Sequence, residues 1–462
     1  MTEQPRIATI DDVTGPRTIA ILGAGGDLTE RLLLPGIGQV AELARIDDLT
    51  LVGAARTPKT DEEWQEVVRR SLEDADVAAH TVDALVSRAR FVATDASDPE
   101  QLAALLDACP SSPVLYVALP PAMGHAVAAS LAAIQLPDDL VVAIEKPFGE
   151  DLDDAIALDD ALAAVLPPER LWRIDHFLGN AAVVGMLGLR FGNGLLEAAW
   201  STQHVEKVEI VYDEVLGIEG RGAFYDGTGA LRDMLQSHLL MVLAFVAMER
   251  PEDVTVAEVH ARMAEVLGAV RPWRDDPSTA RRARYTEGRL DGRLLPAYVD
   301  EADVDADAGT ETLAQLLLQV DVPRWDGVPF VLRSGKAIGA PRAEIALHLR
   351  PTAPPTGIAA RDAGSVLRIS LVDGGIALDL HVDDAMHQAL VPLALAGDAP
   401  EGPLSAYGQV VLGLLAGDRL LSVSRDVAEQ CWRIVTPVLA AWADGAAPLE
   451  EYEAGSAGPE DW

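Results

Sequence analysis

Cysteine is nearly missing from this chain, with Cys109 and Cys431 the only two among 462 residues. They lack metal-ligand spacing, which excludes a disulfide framework and a structural zinc site as organising devices and fits a reducing compartment such as the cytoplasm. Basic residues are also scarce. Lys and Arg number 36 against 73 Asp and Glu, a formal net charge of −37, which repels nucleic acid and anionic membranes. An anionic ligand must therefore be drawn in by local cations that overcome this field. Although 49% of residues are apolar, no apolar run approaches the roughly 20 residues needed to cross a bilayer. The opening MTEQPRIATIDDVTG has no basic segment followed by an apolar stretch, so it reads as a flexible leader (1–16) and not as a signal peptide.

What is present is a change of pattern along the chain. Its length favours two domains, each able to bury a core. From Thr18 to about Glu145, short apolar runs at Thr18–Leu22, Leu49–Gly53, Arg90–Val92, Val114–Ala118 and Leu140–Ile144 alternate with amphipathic helical stretches. This is the pattern of a doubly wound parallel sheet, an α/β Rossmann arrangement. Beyond it, EKPFGEDLDDA reads as a turn and an acidic helix start that Asp151 or Asp153 caps. Strands are expected at Lys207–Tyr212, Ala343–Leu349, Val366–Leu371 and Ile376–Leu380, a long helix at Thr228–Met248, and closing helices at 404–416 and 424–443. Segment 350–364 reads as a surface connection and the EYEAGSAGPEDW end as irregular. The expectation is a dinucleotide-binding domain (17–175) followed by an α+β domain (176–462).

Several motifs carry chemistry. The first strand runs into Gly23-Ala24-Gly25-Gly26-Asp27-Leu28 and then a helix, a bend that lets backbone N–H groups approach a pyrophosphate. The second strand ends at Arg56, where NAD-specific folds commonly place an acid on the ribose. A guanidinium suits a 2′-phosphate, so NADP is the favoured cofactor, with NAD the alternative. Lys146, in EKPFG, is placed to meet a polar ligand, and its bond to Pro147 is a candidate cis peptide. Arg173-Ile174-Asp175-His176 gathers ionisable groups just before a helix. Asp233 and His238 lie five apart on another, and a carboxylate that orients an imidazole makes a general base.

Together GAGGDL, GAAR, YVALPPA, IEKPFG, RIDHFLG, LRFGN, EGRGAFYDGTGALRDMLQSH, VPFVLRSGK, WRIVTPVL and YEAGSAGP resemble, in order and over nearly the whole chain, the glucose-6-phosphate dehydrogenase family. The resemblance implies a Rossmann domain followed by an α+β domain with a large, mostly antiparallel sheet, dimerised through that sheet, so a homodimer or homotetramer is expected. It also implies an NADP-dependent oxidation of glucose 6-phosphate at C1 to the lactone, with no metal. His238 would be the general base and Asp175 the carboxylate that orients it. Lys146 would contact substrate and align the cofactor, and Glu214 and Asp233 would hold sugar hydroxyls. His176 and Lys336 would belong to the phosphate site, and Gly23, Gly26, Asp27, Leu28 and Arg56 to the dinucleotide site.

Three segments depart from the pattern. The family's RIDHYLGK reads RIDHFLGN, so Phe177 and Asn180 replace a phosphate-binding Tyr and Lys. The Lys that usually ends GDLAxRK is Leu32, and a basic residue often found five positions beyond Lys336 is Pro341, with Arg342 next. The losses fall on the phosphate end, which raises the alternatives of a non-phosphorylated or otherwise 6-substituted aldose, or of a catalytically weak regulatory paralogue.

Overall fold

The N-terminal apolar runs become strands because they are covered on both faces. In β1 (Thr18–Leu22), Ile19 and Ile21 enter one buried cluster while Ala20 and Leu22 enter another. Successive side chains of a strand point to opposite faces, so two helical layers turn Thr18 and the four apolar residues after it into a buried strand. Each Ile or Leu so buried contributes roughly 1.5–3 kcal/mol. The computed structural model describes residues 8–13, 17–110, 113–290, 292–352, 364–383, 390–400, 402–460 and 462. The chain divides into one compact unit of Met1–Asn180, Pro251–Ala261 and Gly402–Glu429, and another of Ala181–Arg250, Arg262–Glu401 and Gln430–Trp462.

In the first unit, β1 is joined by β2 (Thr50–Ala55), β3 (Arg90–Ala93), β4 (Pro113–Val117), β5 (Val141–Glu145) and β6 (Leu171–Ile174). All pair in parallel in the order β3-β2-β1-β4-β5-β6. This is the nucleotide-binding order, which reverses between β1 and β4 and opens a crevice at their carboxyl ends. Strand β6 corrects the sequence reading in one respect: EKPFG follows the fifth strand of this sheet, not the last. Asp151 is the acid that caps the next helix, accepting from the Asp154 N–H at 2.9 Å. Within the leader, residues 8–13 are held: Ala8 N–H donates to Asp418 at 2.7 Å, and Ile10 and Val13 pack on the core. The leader's other residues, 1–7 and 14–16, lie outside the described residues.

The second unit is built on β7 (Val205–Tyr212), β8 (Val270–Pro272), β9 (Arg281–Thr286), β12 (Leu313–Val320), β13 (Phe330–Gly335), β14 (Ala343–Leu349), β15 (Val366–Ser370), β16 (Ile376–Asp383), β17 (Leu390–Gly397) and β18 (Leu449–Glu453), with β10 (Gly288–Leu290) and β11 (Arg293–Leu295) as a separate hairpin. The sheet runs β17-β16-β15-β14-β7-β13-β12-β9-β18, and β8 also pairs with β12. It is mixed and mostly antiparallel, with β7–β13 and β9–β18 parallel. Strand β18 takes in the start of the EYEAGSAGPEDW segment, expected to be irregular. It forms because Tyr452 is buried among Tyr285, Leu313 and Ala337. Of the expected connection 350–364, residues 353–363 lie outside the described residues. Among the described residues no helix is long and apolar enough to cross a membrane.

Candidate active site

The first unit gathers its chemistry at the carboxyl ends of its strands. Gly23 follows β1 with φ +94°, and a Cβ there would lie 2.1 Å from the Ala118 carbonyl oxygen beyond β4. Only glycine fits this left-handed, crowded corner. Gly25 and Gly26 are exposed, and a Cβ on Gly25 would meet nothing within 4 Å. Open backbone thus lies at the start of the helix, the cradle a pyrophosphate needs. Thr29 pins the bend by donating to the Gly23 carbonyl at 3.1 Å. The turns at Thr29–Leu33 are π-helical, with Leu34 N–H donating to Thr29. Pro35 has no N–H to continue an α ladder, which accounts for the changed register just before it.

Asp27 is exposed at that helix start, Leu28 is part-buried against the core, and Leu32 is 46% exposed where the family has a cation. Arg56 is exposed just beyond β2. Asp95 is held below the usual carboxylate range by the Ser97 hydroxyl and N–H, with a smaller contribution from Arg56. An anion bound by Arg56 therefore competes with a nearby carboxylate.

Lys146 follows β5, and the Lys146–Pro147 peptide is cis. Its N–H donates to the Ile174 carbonyl at 3.2 Å, which ties the turn to β6. Asp175, fully buried, follows β6 and caps the short turn His176–Gly179 by accepting from Phe177 N–H at 3.0 Å. Phe177 is 7% exposed, its ring edge-on to His176 at 5.4 Å. Asn180 ends the turn. Arg173, from the same motif, is a structural residue: it pairs with Asp159, which Arg425 also meets at 3.2 Å. Burial lowers the Arg173 pKa to about 10, with Arg419 and Arg425 acting in the same direction.

One part of this region escaped the sequence reading. Glu145, the last residue of β5, is part-buried and accepts from two tyrosines through one oxygen: Tyr116 at 2.5 Å and Tyr407 at 3.1 Å. Loss of water raises its pKa to about 7 against the two hydroxyl donations; Asp175 pushes the same way and Lys146 the other. Glu145 stood inside EKPFG, but its partner 262 positions away, Tyr407, carried no local signal.

In the second unit the decisive element is the helix of the ALRDMLQSH motif. Residues Leu231–Leu239 wind as π-helical turns before an α-helix at Leu240–Ala247. In an α-helix five positions advance about 140° beyond one turn, which would send Asp233 and His238 to different sides. With i→i+5 closure, a residue and the fifth after it lie nearly one above the other. His238 is 2% exposed, on a helix packed over β7, β12 and β13. The helix start is held by Glu311, which accepts from Leu231 N–H at 2.9 Å through its carboxylate and from Ala230 N–H at 3.1 Å through its backbone.

Glu214 follows β7 and Lys336 follows β13, and these strands are parallel neighbours. Their side chains form a direct ion pair, with Lys336 also over the Tyr225 ring at 5.4 Å. Lys336 is 3% exposed. Asp213, one residue before Glu214, pairs with Arg333, three residues before Lys336, at 3.2 Å. Cys109 is part-buried and burial raises its thiol to about 11, away from nucleophilic use.

Family models bear directly on this arrangement. The glucose-6-phosphate dehydrogenase NAD binding domain matches residues 20–184, and the C-terminal domain of the same enzyme matches 187–462. The chain belongs to the glucose-6-phosphate dehydrogenase family. It is 36% identical to glucose-6-phosphate 1-dehydrogenase of Gluconobacter oxydans, over 96% of this chain and 95% of the relative. It is 34% identical to glucose-6-phosphate 1-dehydrogenase 2 of Mycobacterium bovis, over 99% and 93%. Among solved structures, glucose-6-phosphate 1-dehydrogenase from Mycobacterium avium superimposes with a TM-score of 0.85 at 30% identity, covering 96% of this chain and 95% of that one. A glucose-6-phosphate dehydrogenase in complex with glucose 6-phosphate gives the same TM-score at 27% identity, covering 100% and 97%. The family carries a nicotinamide dinucleotide-binding domain, and the glycine corner of β1 has the shape such a ligand requires.

Proposed function

We propose that this protein oxidises glucose 6-phosphate at C1 to the lactone, with NADP as hydride acceptor. The observation that carries the proposal is His238, a buried imidazole on a π-helical segment, in a chain whose relatives include glucose-6-phosphate 1-dehydrogenases. The dinucleotide, when bound, supplies the hydride acceptor. Gly23, Gly26, Asp27 and Leu28 would hold its pyrophosphate end, and Arg56 would select the 2′-phosphate. His238 takes the C1 hydroxyl proton as the C1 hydride departs, so the hemiacetal carbon becomes the lactone carbonyl. Asp175 offsets the imidazolium charge that forms. Glu214 and Asp233 hold sugar hydroxyls, Lys146 orients the reacting end, and His176 and Lys336 meet the phosphate.

A second reading rests on Phe177 and Asn180. Phe177 is a buried ring with no hydroxyl and Asn180 has no charge, so two donors to a phosphate are missing. Each such bond is worth roughly 1.5–3 kcal/mol, which favours an aldose with a less charged substituent at C6. The deciding experiment is NADP reduction by the purified protein with glucose 6-phosphate, glucose and other 6-substituted aldoses. A preference for glucose 6-phosphate supports the first reading; a preference for another aldose replaces it. Under the first reading the double variant Phe177→Tyr with Asn180→Lys changes glucose 6-phosphate use little. Under the second it raises that use by about tenfold or more.

We also propose a homodimer, or a dimer of dimers, joined through the large sheet. Strand β17 at the sheet edge exposes Val391, Leu393 and Leu395, an apolar row that water disfavours. Sedimentation of Leu393→Glu against the parent chain tests this: a lighter species supports the interface, and an unchanged one removes it.

A further inference from the structure

His176 stands on a layered support within the first unit. Its ring stacks on Tyr407 at 5.0 Å with 17° between planes, and meets the Phe177 ring edge-on at 5.4 Å. Tyr407 is itself fixed at both ends. Its backbone lies where Gly36 lets two helices meet closely, a Cβ on Gly36 being only 2.8 Å from Gly408 N. Ser405 caps that helix, accepting from Gly408 N–H at 3.1 Å, and Gln39 accepts from Ser405 N–H at 2.9 Å. The Tyr407 hydroxyl donates to Glu145, whose same oxygen accepts from Tyr116.

Strand phase explains the meeting. Tyr116 of β4 opposes Ala143 of β5 in register, and both enter the cluster that also contains Tyr407. Glu145 is two residues past Ala143 and so shares that face. A carboxylate at the end of an apolar strand, against two aromatic rings, is disfavoured for packing alone, since its charge loses water. The two hydroxyl donations compensate for that loss and fix where both rings sit.

We propose that Glu145 is a positioning residue, which through the Tyr407 hydroxyl and the Tyr407–His176 stack sets the His176 imidazole for the phosphate end of the sugar. The proposal rests on the assignment of His176 to that phosphate and deepens it. It assigns the work of the missing Tyr hydroxyl at position 177 to a ring held rigidly from behind, where a preorganised donor loses less freedom on binding.

The test compares kcat/KM for glucose 6-phosphate with kcat/KM for unphosphorylated glucose, at fixed NADP, in the full-length protein. Tyr407→Phe keeps the ring and removes the hydroxyl. The expected result is a fall in the phosphate preference of about fivefold or more, through KM for glucose 6-phosphate. Turnover, KM for NADP and use of glucose stay within about twofold. His176→Ala combined with Tyr407→Phe loses no more preference than His176→Ala alone, because the hydroxyl acts only through the imidazole. Glu145→Gln retains an accepting oxygen and keeps the preference, whereas Glu145→Leu loses it.

An unchanged preference in Tyr407→Phe overturns the proposal, as does an equal loss on both sugars or additive losses in the double variant. Glu145→Leu is the substitution that threatens folding, and Tyr407→Phe decides the matter without it. A parent protein with no preference for the phosphorylated sugar removes the phosphate assignment itself. A strong parent preference that Tyr407→Phe leaves intact removes only the role of Glu145.

Discussion

Lys336 and Glu214 close an ion pair at the ends of two parallel strands, so the cation proposed for the phosphate is already opposed by the carboxylate proposed for sugar hydroxyls. The pair is asymmetric. The Lys336 side chain is 4% exposed and that of Glu214 is 29% exposed, so Glu214 can turn toward solvent or a hydroxyl more readily than Lys336 can. A bound phosphate must compete for the ammonium, and the same competition keeps the buried charge compensated before substrate arrives.

Lys336→Ala is therefore expected to raise KM for glucose 6-phosphate by about tenfold or more, with turnover changed by less than about threefold. It also leaves Glu214 without its cation and lowers stability by about 1–2 kcal/mol, since the pair is only partly shielded from water. Steady-state kinetics and thermal melts measure the two effects. Unchanged KM with lowered stability assigns Lys336 to the fold alone.

The π-helical winding of Leu231–Leu239 places a stricter demand on His238 than burial does. Removing the proposed base by His238→Ala is expected to lower kcat by roughly 10²–10⁴, while the dissociation constant for NADP, measured by fluorescence titration, stays within about twofold. Comparable losses in both quantities would mean that the substitution disturbs the helix, and near-normal turnover would remove His238 from the chemistry.

The sequence and the structure agree where local pattern and burial coincide. Thr18–Leu22 and Ala343–Leu349 are strands with the bounds their periodicity implies, because each is flanked by turn residues and packed by a sheet. The glycine corner was equally legible, since Gly23 answers to a neighbouring carbonyl and not to a distant side chain. What escaped notice depends on contacts across long separations. Glu145 acquires its meaning from Tyr407, and Leu449–Glu453 becomes a strand only because β9 lies beside it. The π winding was illegible for another reason: the same nine residues carry the apolar pattern of an ordinary helix, and the register change is not written in composition.

Arg56 bears on cofactor choice. It is exposed beyond β2, and no acidic residue follows that strand before Asp61. Arg56→Ala is expected to raise KM for NADP by about tenfold while leaving KM for NAD within about twofold, since only the first carries the extra phosphate. The nearby Asp95 provides a second arm: Asp95→Asn removes a competing charge and is expected to tighten NADP binding about two- to threefold at low salt. Equal effects of Arg56→Ala on the two cofactors would contradict a 2′-phosphate contact.

Acid stability offers a test far from the chemistry. Glu209 on β7 pairs with His348 on β14 at 2.7 Å, with Lys207 at 3.3 Å and Arg342 at 3.8 Å. The His348 hydrogen bond leads in lowering its pKa from 4.5 to about 2, against partial burial, with Lys207, His348 and Arg342 adding their charges. A depressed carboxylate pKa gives stability that is present above the unfolded value and is lost as pH falls through the folded one. Two and a half units at 1.36 kcal/mol each give an upper figure of about 3.4 kcal/mol, and solvent screening brings this to about 2 kcal/mol. Glu209→Gln should therefore unfold at lower urea concentration than the parent at about pH 7, with the gap closing as pH falls from about 4.5 toward 2. A gap that persists unchanged at about pH 2 would assign the loss to packing in the Glu209 environment and not to its charge.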